Sequence, residues 1–159
     1  MGCDIHMVLE KTTEEGWLGR HSFDPIPINK YKEGSSESDT TWVWWPVCDR
    51  NYERFGAMAG VRTSGPEPRG MPDDASQLAR YEVDRWGMDA HSHSWLYAGE
   101  FIKILCAEES VPKDIKVAFT QGLLDGGDGW FSAVCDKFLG FLDDDALPDD
   151  YRIVFWFDN

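Results

Sequence analysis

Residues 3–10, Cys-Asp-Ile-His-Met-Val-Leu-Glu, carry the pattern that most narrows the fold: apolar residues at every second position. Successive side chains of a strand point to opposite faces, so Cys3, Ile5, Met7 and Leu9 make an apolar row. Asp4, His6 and Val8 make the other row. The chain ends on a second extended segment, Tyr-Arg-Ile-Val-Phe-Trp-Phe-Asp-Asn at 151–159. A Glu-Glu-Gly turn at 14–16 before Trp17 and Leu18 predicts a hairpin. Thr-Trp-Val-Trp-Trp at 41–45 reads as a strand stopped by Pro46.

Helices are expected over about 50–59, 75–86 and 99–108, and near 131–142. Asp49 is the natural N-cap of the first, and Gly60 closes it. On that helix Tyr52, Phe55 and Ala59 form the buried stripe. Residues 33–40 are polar loop, and residues 61–74, rich in Pro and Gly, are irregular. This order predicts an α+β fold, with a mixed, mostly antiparallel sheet covered by about four helices in one domain over 1–159.

The formal charge is −14, which opposes a long nucleic acid or an anionic membrane as partner. Its distribution is uneven. Six of the eight arginines, Arg50, Arg54, Arg62, Arg69, Arg80 and Arg85, fall between positions 50 and 85, where no lysine occurs. Six acids share the window, so it is neutral and the rest of the chain carries the whole negative charge. Guanidinium offers a planar fork to carboxylate or phosphate, whereas lysine offers a point charge. The arginines therefore either grip an external anion or pair with neighbouring acids. The four cysteines are widely spaced, the N-terminus turns polar at Asp4, and no stretch approaches ~18 apolar residues. Reduced thiols and a cytoplasmic location follow as expectations.

Two Asp-x-His motifs hold three of the four histidines: Asp4-Ile5-His6 and Asp89-Ala90-His91-Ser92-His93. In extended backbone, residues two apart share a face. Asp4 projects with His6, and Asp89 with His91 and His93. Carboxylate plus imidazole is ligand chemistry for Zn²⁺, Mn²⁺ or Fe²⁺, with bound water as nucleophile. The structural alternative is that each Asp simply orients its neighbouring His. Calcineurin-like metallophosphoesterases are similar in opening with Asp-x-His and closing with His-x-His. The Gly-Asp-x-x-Asp and Gly-Asn-His segments of that family are missing here. Cys3 and His6 face opposite sides of one strand and cannot pair as nucleophile and base.

Arg62 and Arg69 lie in or beside the Gly/Pro-rich segment, where backbone N–H groups are also open to anions. Asn51, Tyr52 and the Trp42, Trp44 and Trp45 cluster add base-reading edges and stacking planes. No phosphate-binding glycine motif occurs.

MGCDIH, RNYERF, AGVR, PRGMPDD, DAHSHSW and RIVFWFDN, taken together, resemble a family of small uncharacterised proteins, mostly from bacteriophages and some bacteria. The resemblance runs the length of the chain and implies a phage setting in a bacterial host cytoplasm. Small phage proteins in that setting sequester or degrade the nucleotide signals of bacterial immunity.

Three expectations follow. The first is a binding protein, needing no cofactor, for a small phosphorylated ligand such as a nucleotide or cyclic-nucleotide immune signal. Arg50, Arg54, Arg62 and Arg69 would hold phosphate, with Tyr52 or a Trp stacked on the base and Asn51 at its edge. The second is a metal-dependent phosphoesterase with Asp4, His6, Asp89, His91 and His93 as ligands. The third is an acidic, DNA-like inhibitor of a host protein through Asp143–Asp150. The partner is expected to be a small phosphorylated molecule, with a homo-oligomer or a host protein left open.

Overall fold

The computed structural model describes residues 2–22, 41–42, 50–109, 111–128, 130–131, 134 and 146–159. The fold is α+β. Strand β1 (Ile5–Thr13) and the last strand, β5 (Tyr151–Phe157), form the antiparallel centre of the sheet. The hairpin partner β2 (Gly16–Ser22) flanks β1, and β4 (His91–Tyr97) flanks β5, both antiparallel. A two-residue strand, β3 (Thr41–Trp42), pairs in parallel with β2, giving the order β3-β2-β1-β5-β4.

Helices cover both faces, and the side-chain alternation of β1 and β5 sorts residues between them. Ile5, Met7, Leu9, Ile153, Phe155 and Phe157 meet helix α1 (Tyr52–Ala59) and helix α3 (Ala98–Ala107) in the larger core. Val8, Val154 and Trp156 meet helix α2 (Gln77–Trp86) in a smaller one. Every residue of β5 is consequently buried. The second row of β1 is buried too, including His6 and Glu10, although its sequence reads as half polar.

Local chemistry fixes the helix ends. Asn51, not Asp49, caps α1: its side-chain oxygen accepts the Arg54 backbone N–H at 3.1 Å. Gly60, at φ 63°, closes that helix in the left-handed region as expected. Ser76 caps α2, accepting from Ala79 N–H, and donates its own N–H to the Glu10 carboxylate at 2.6 Å. Glu10 pairs in turn with buried Arg152, which also reaches Asp74 and lies over the Trp17 ring at 4.2 Å. This network staples the start of α2 to the sheet.

Helix α4 (Lys113–Asp125) was not expected from the sequence; none of its residues is fully buried, and Ile115, Ala118 and Phe119 pack partly exposed against the larger core. Of the expected helix near 131–142, Phe131 and Val134 are described and are helical; the rest of it, the continuation of the 41–45 strand, the loop at 33–40, and Asp49, Trp44, Trp45 and Asp143 lie outside the described residues. No helix among the described residues is long and apolar enough to cross a membrane.

Candidate functional site at one end of the sheet

The antiparallel register of β1 and β5 gathers the chemically loaded residues at one end of the sheet. Ile5 lies opposite Phe157 and His6 opposite Trp156, so Asp4 and Asp158 meet just beyond the paired strands. The Asp158 backbone N–H donates to the Asp4 carbonyl at 3.2 Å, and Asp158 Oδ1 accepts the Asp4 N–H at 3.0 Å. The other oxygen, Oδ2, lies 3.1 Å from His6 Nε2. Burial pushes the Asp158 carboxyl up, but the Asp4 N–H, His6 and Arg50 together hold it below the usual carboxylate range. The His6 ring packs against Trp86 of α2, centroids 3.9 Å apart, and against Trp156. Asp4 and His6 both reach Asp158, with His6 buried and Asp4 exposed.

Arg50 completes this side. Its Nε and Nη2 donate to the two Asp4 oxygens at 2.9 and 2.8 Å, a fork-to-fork pair in which both side chains are about half exposed. The guanidinium also lies against the Gly2 backbone, where an added Cβ would collide with it.

On the opposite face of the same strand ends stand Cys3, Arg62, Asn159 and His91. The route to Arg62 is set by glycine. A Cβ at Gly65 would strike the Gly56 carbonyl, and one at Gly56 would strike the Thr63 hydroxyl. These two glycines let the segment after α1 fold back tightly over the helix, and the Thr63 hydroxyl donates to the Tyr52 carbonyl. The fold-back holds Arg62 at φ 67° and sets its guanidinium over the exposed Tyr52 ring, 5.9 Å from the centroid. Arg62 Nη2 reaches Asn159 Oδ1 at 3.5 Å, and its positive charge acts on the buried Cys3 thiol. Burial pushes the Cys3 thiol up, with Arg62 opposing the shift.

His91 stacks on Phe157 at 6.2 Å, and its Nδ1 lies 2.9 Å from the Ser92 hydroxyl. Ser92 has φ 53°, making it, with Arg62, one of two described non-glycine residues at positive φ. Residues held in that region cluster at functional sites.

The arginines do not converge, which corrects the expectation of a four-guanidinium grip. Arg54 is buried and gives two hydrogen bonds to Glu108, at 2.5 and 2.8 Å, so it is a structural tie between α1 and the end of α3. Arg69 gives two to Glu100, at 2.9 and 2.6 Å, and lies over Trp95. Burial opposes, but does not overcome, the Arg69 bond that holds the Glu100 carboxyl below its usual range. Arg85 pairs with Glu82, and Arg80 donates to the carbonyls of Asp73 and Ala75. Asn51 is spent on its capping bond. Of the six arginines, Arg62 has neither a carboxylate nor a backbone carbonyl partner among the described residues.

The second Asp-x-His motif is also corrected. Asp89 is exposed in a 3-10 turn (Gly87–Asp89) ahead of β4. A bulge then breaks the alternation: His91 lies opposite Phe157 and Ser94, not His93, opposite Phe155. Asp89, His91 and His93 therefore do not form one row. The Nε2 atoms of His91 and His93 are buried with no hydrogen-bond partner among the described residues, and burial, aided by His91, lowers the His93 pKa. No group of three or more His, Cys, Asp or Glu side chains among the described residues is placed to hold a metal ion.

The sequence reading missed Asp158, Asn159, Ser92 and Trp86. Pairing the first strand with the last would have found Asp158, since that register alone sets it opposite Asp4. Two clefts, of about 360 and 340 Å³, open elsewhere, beside Trp17 and Arg80 and beside Glu100 and Trp130. Comparisons with protein-family models, with curated proteins and with solved structures gave no significant match.

Proposed function

We propose that the protein binds a small phosphorylated molecule of the nucleotide class at this end of the sheet, with Arg62 as the first phosphate contact. One observation carries the reading: Arg62 is exposed, has no carboxylate partner among the described residues, and is held at a backbone angle unfavourable to its side chain. Such a guanidinium has N–H donors beyond the one given to Asn159 to offer an incoming anion. Tyr52, 37 % exposed beside it, supplies aromatic surface for a base.

Arg50 is the second contact. Its present partner is a carboxylate in a half-exposed pair, and phosphate fits the same fork. Exposed pairs of this kind contribute little to stability, so one oxyanion exchanges readily for another. The acidic remainder of the chain repels long polyanions and leaves a small ligand as the matching class. In the phage setting implied by the sequence resemblance, the consequence of binding is sequestration of a nucleotide signal.

The test is a thermal-shift and calorimetric panel of mononucleotides, cyclic mononucleotides and dinucleotides, and ADP-ribose derivatives. A ligand at a hundred times its Kd stabilises by about 2.7 kcal/mol. That shift is expected in the wild type and lost in Arg62→Ala. The absence of any shift across the panel overturns the reading, as does an equal shift in Arg62→Ala.

A further inference from the structure

At the start of β4 we infer a second chemistry, independent of the nucleotide reading: Ser92 is a nucleophile activated by His91, and it takes the acyl group of a small carboxylic ester. Neighbouring side chains of a regular strand point to opposite faces, so His91 and Ser92 should not meet. They do meet: with Ser92 at φ 53°, its hydroxyl lies 2.9 Å from His91 Nδ1. That distance is within the reach a nucleophile and its base require. A residue with a Cβ enters the left-handed region only at a cost, and the nucleophile of the sharp strand turn in serine hydrolases is held in similarly strained backbone. Stacking on the buried Phe157 ring, centroids 6.2 Å apart, fixes the imidazole beside the hydroxyl. Both side chains are partly exposed, so a small ester can reach them.

The bulge supplies the third part. His91 lies opposite Phe157 and Ser94 opposite Phe155, which leaves Ser92 and His93 without partners in the β4–β5 register. The backbone N–H of His93, the residue after the nucleophile, is then the donor to the oxyanion of the tetrahedral adduct, the position that acyl-transferring serine sites use. As the bond from Ser92 Oγ to the carbonyl carbon forms, the hydroxyl proton passes to His91 Nδ1. The adduct expels the alcohol, which leaves with that proton, and the acyl group remains as an ester on Ser92. Water, giving its proton to His91, then releases the carboxylic acid. His91 Nε2 has no carboxylate partner among the described residues to stabilise the imidazolium, so release is slow and an activated ester leaves the acyl form to accumulate.

The experiment incubates the full chain with p-nitrophenyl acetate and follows p-nitrophenolate release, intact mass and the modified residue by peptide mapping. A burst of about one equivalent, with acetyl on Ser92, is expected. Ser92→Gly suits the left-handed backbone, keeps the fold and is expected to lose the burst. Two base variants, His91→Phe, which keeps a ring on Phe157, and His91→Gln, are each expected to slow Ser92 acetylation at least about a hundred-fold. In urea the unfolded chain releases Ser92 from its strained angle and is expected to lose the selective labelling. No acetyl on Ser92 in the wild type, acetylation confined to lysines or the N-terminus, an undiminished rate in either His91 variant, or equal labelling of the unfolded chain overturns the inference. None of these outcomes bears on nucleotide binding at Arg62, which is read separately.

Discussion

Arg54 and Glu108 form a two-hydrogen-bond pair sealed between α1 and the end of α3, 54 residues apart in the chain. Removing one member of such a pair leaves a charge in a place built to be dry. Glu108→Ala is expected to destabilise by roughly 3–5 kcal/mol, read as a lower urea midpoint at unchanged slope. A loss below about 1 kcal/mol contradicts the structural role assigned to Arg54.

Arg62 poses the opposite case. Its left-handed backbone costs roughly 1 kcal/mol or more in a residue with a Cβ, and glycine relieves that cost. Arg62→Gly is therefore expected to leave the melting temperature unchanged or raised while abolishing nucleotide binding. A functional loss with no stability loss separates a ligand contact from a packing contact.

The close approach of Gly65 to the Gly56 carbonyl gives a third prediction. Backbone cannot retreat as a flexible side chain can, so Gly65→Ala is expected to displace the 61–65 segment from α1. Stability should fall by about 1–3 kcal/mol, and ligand binding should weaken because Arg62 travels with the segment. An unperturbed melting temperature and affinity would contradict the fold-back geometry.

Asp158 carries a pH signature. Its carboxyl is held below the ordinary range, so its contribution to stability is complete above the unfolded value, about 3.9. That contribution fades as pH falls through the lower folded value. Asp158→Asn should lower stability at pH 7 and flatten the acid limb of the stability curve below about pH 4. Chemical denaturation at a series of pH values reads both effects, and parallel curves for the two proteins would count against the His6–Asp158–Asp4 arrangement.

Much of the frame was legible because its signals are local. The alternation at 3–10, the turn at 14–16, the Gly60 stop and the helix ending at Gly87 each depend on neighbouring residues. The α+β class and the mostly antiparallel sheet followed from their order. Local reading failed where distant groups decide. Nothing near Arg54 or Arg69 announces Glu108 or Glu100 as partners, so an arginine block that looks free in sequence is largely occupied in three dimensions. Helix α2 covers the second face of the sheet, which turns the polar-looking row of His6 and Glu10 into interior. The bulge at Ser92 carries no glycine to mark it, and it undid the alignment of His91 with His93.

Pairing β1 with β5 joins positions almost the whole chain apart: Ile5 with Phe157, Lys11 with Tyr151. The first strand gains its central neighbour only after all the helices and strands between them have been synthesised. Long-range closures of this kind are entropically costly to begin and slow a domain's folding. The Asp4–Asp158 contact depends on this closure. A chain cut before residue 151 should display none of this chemistry, however native its helices.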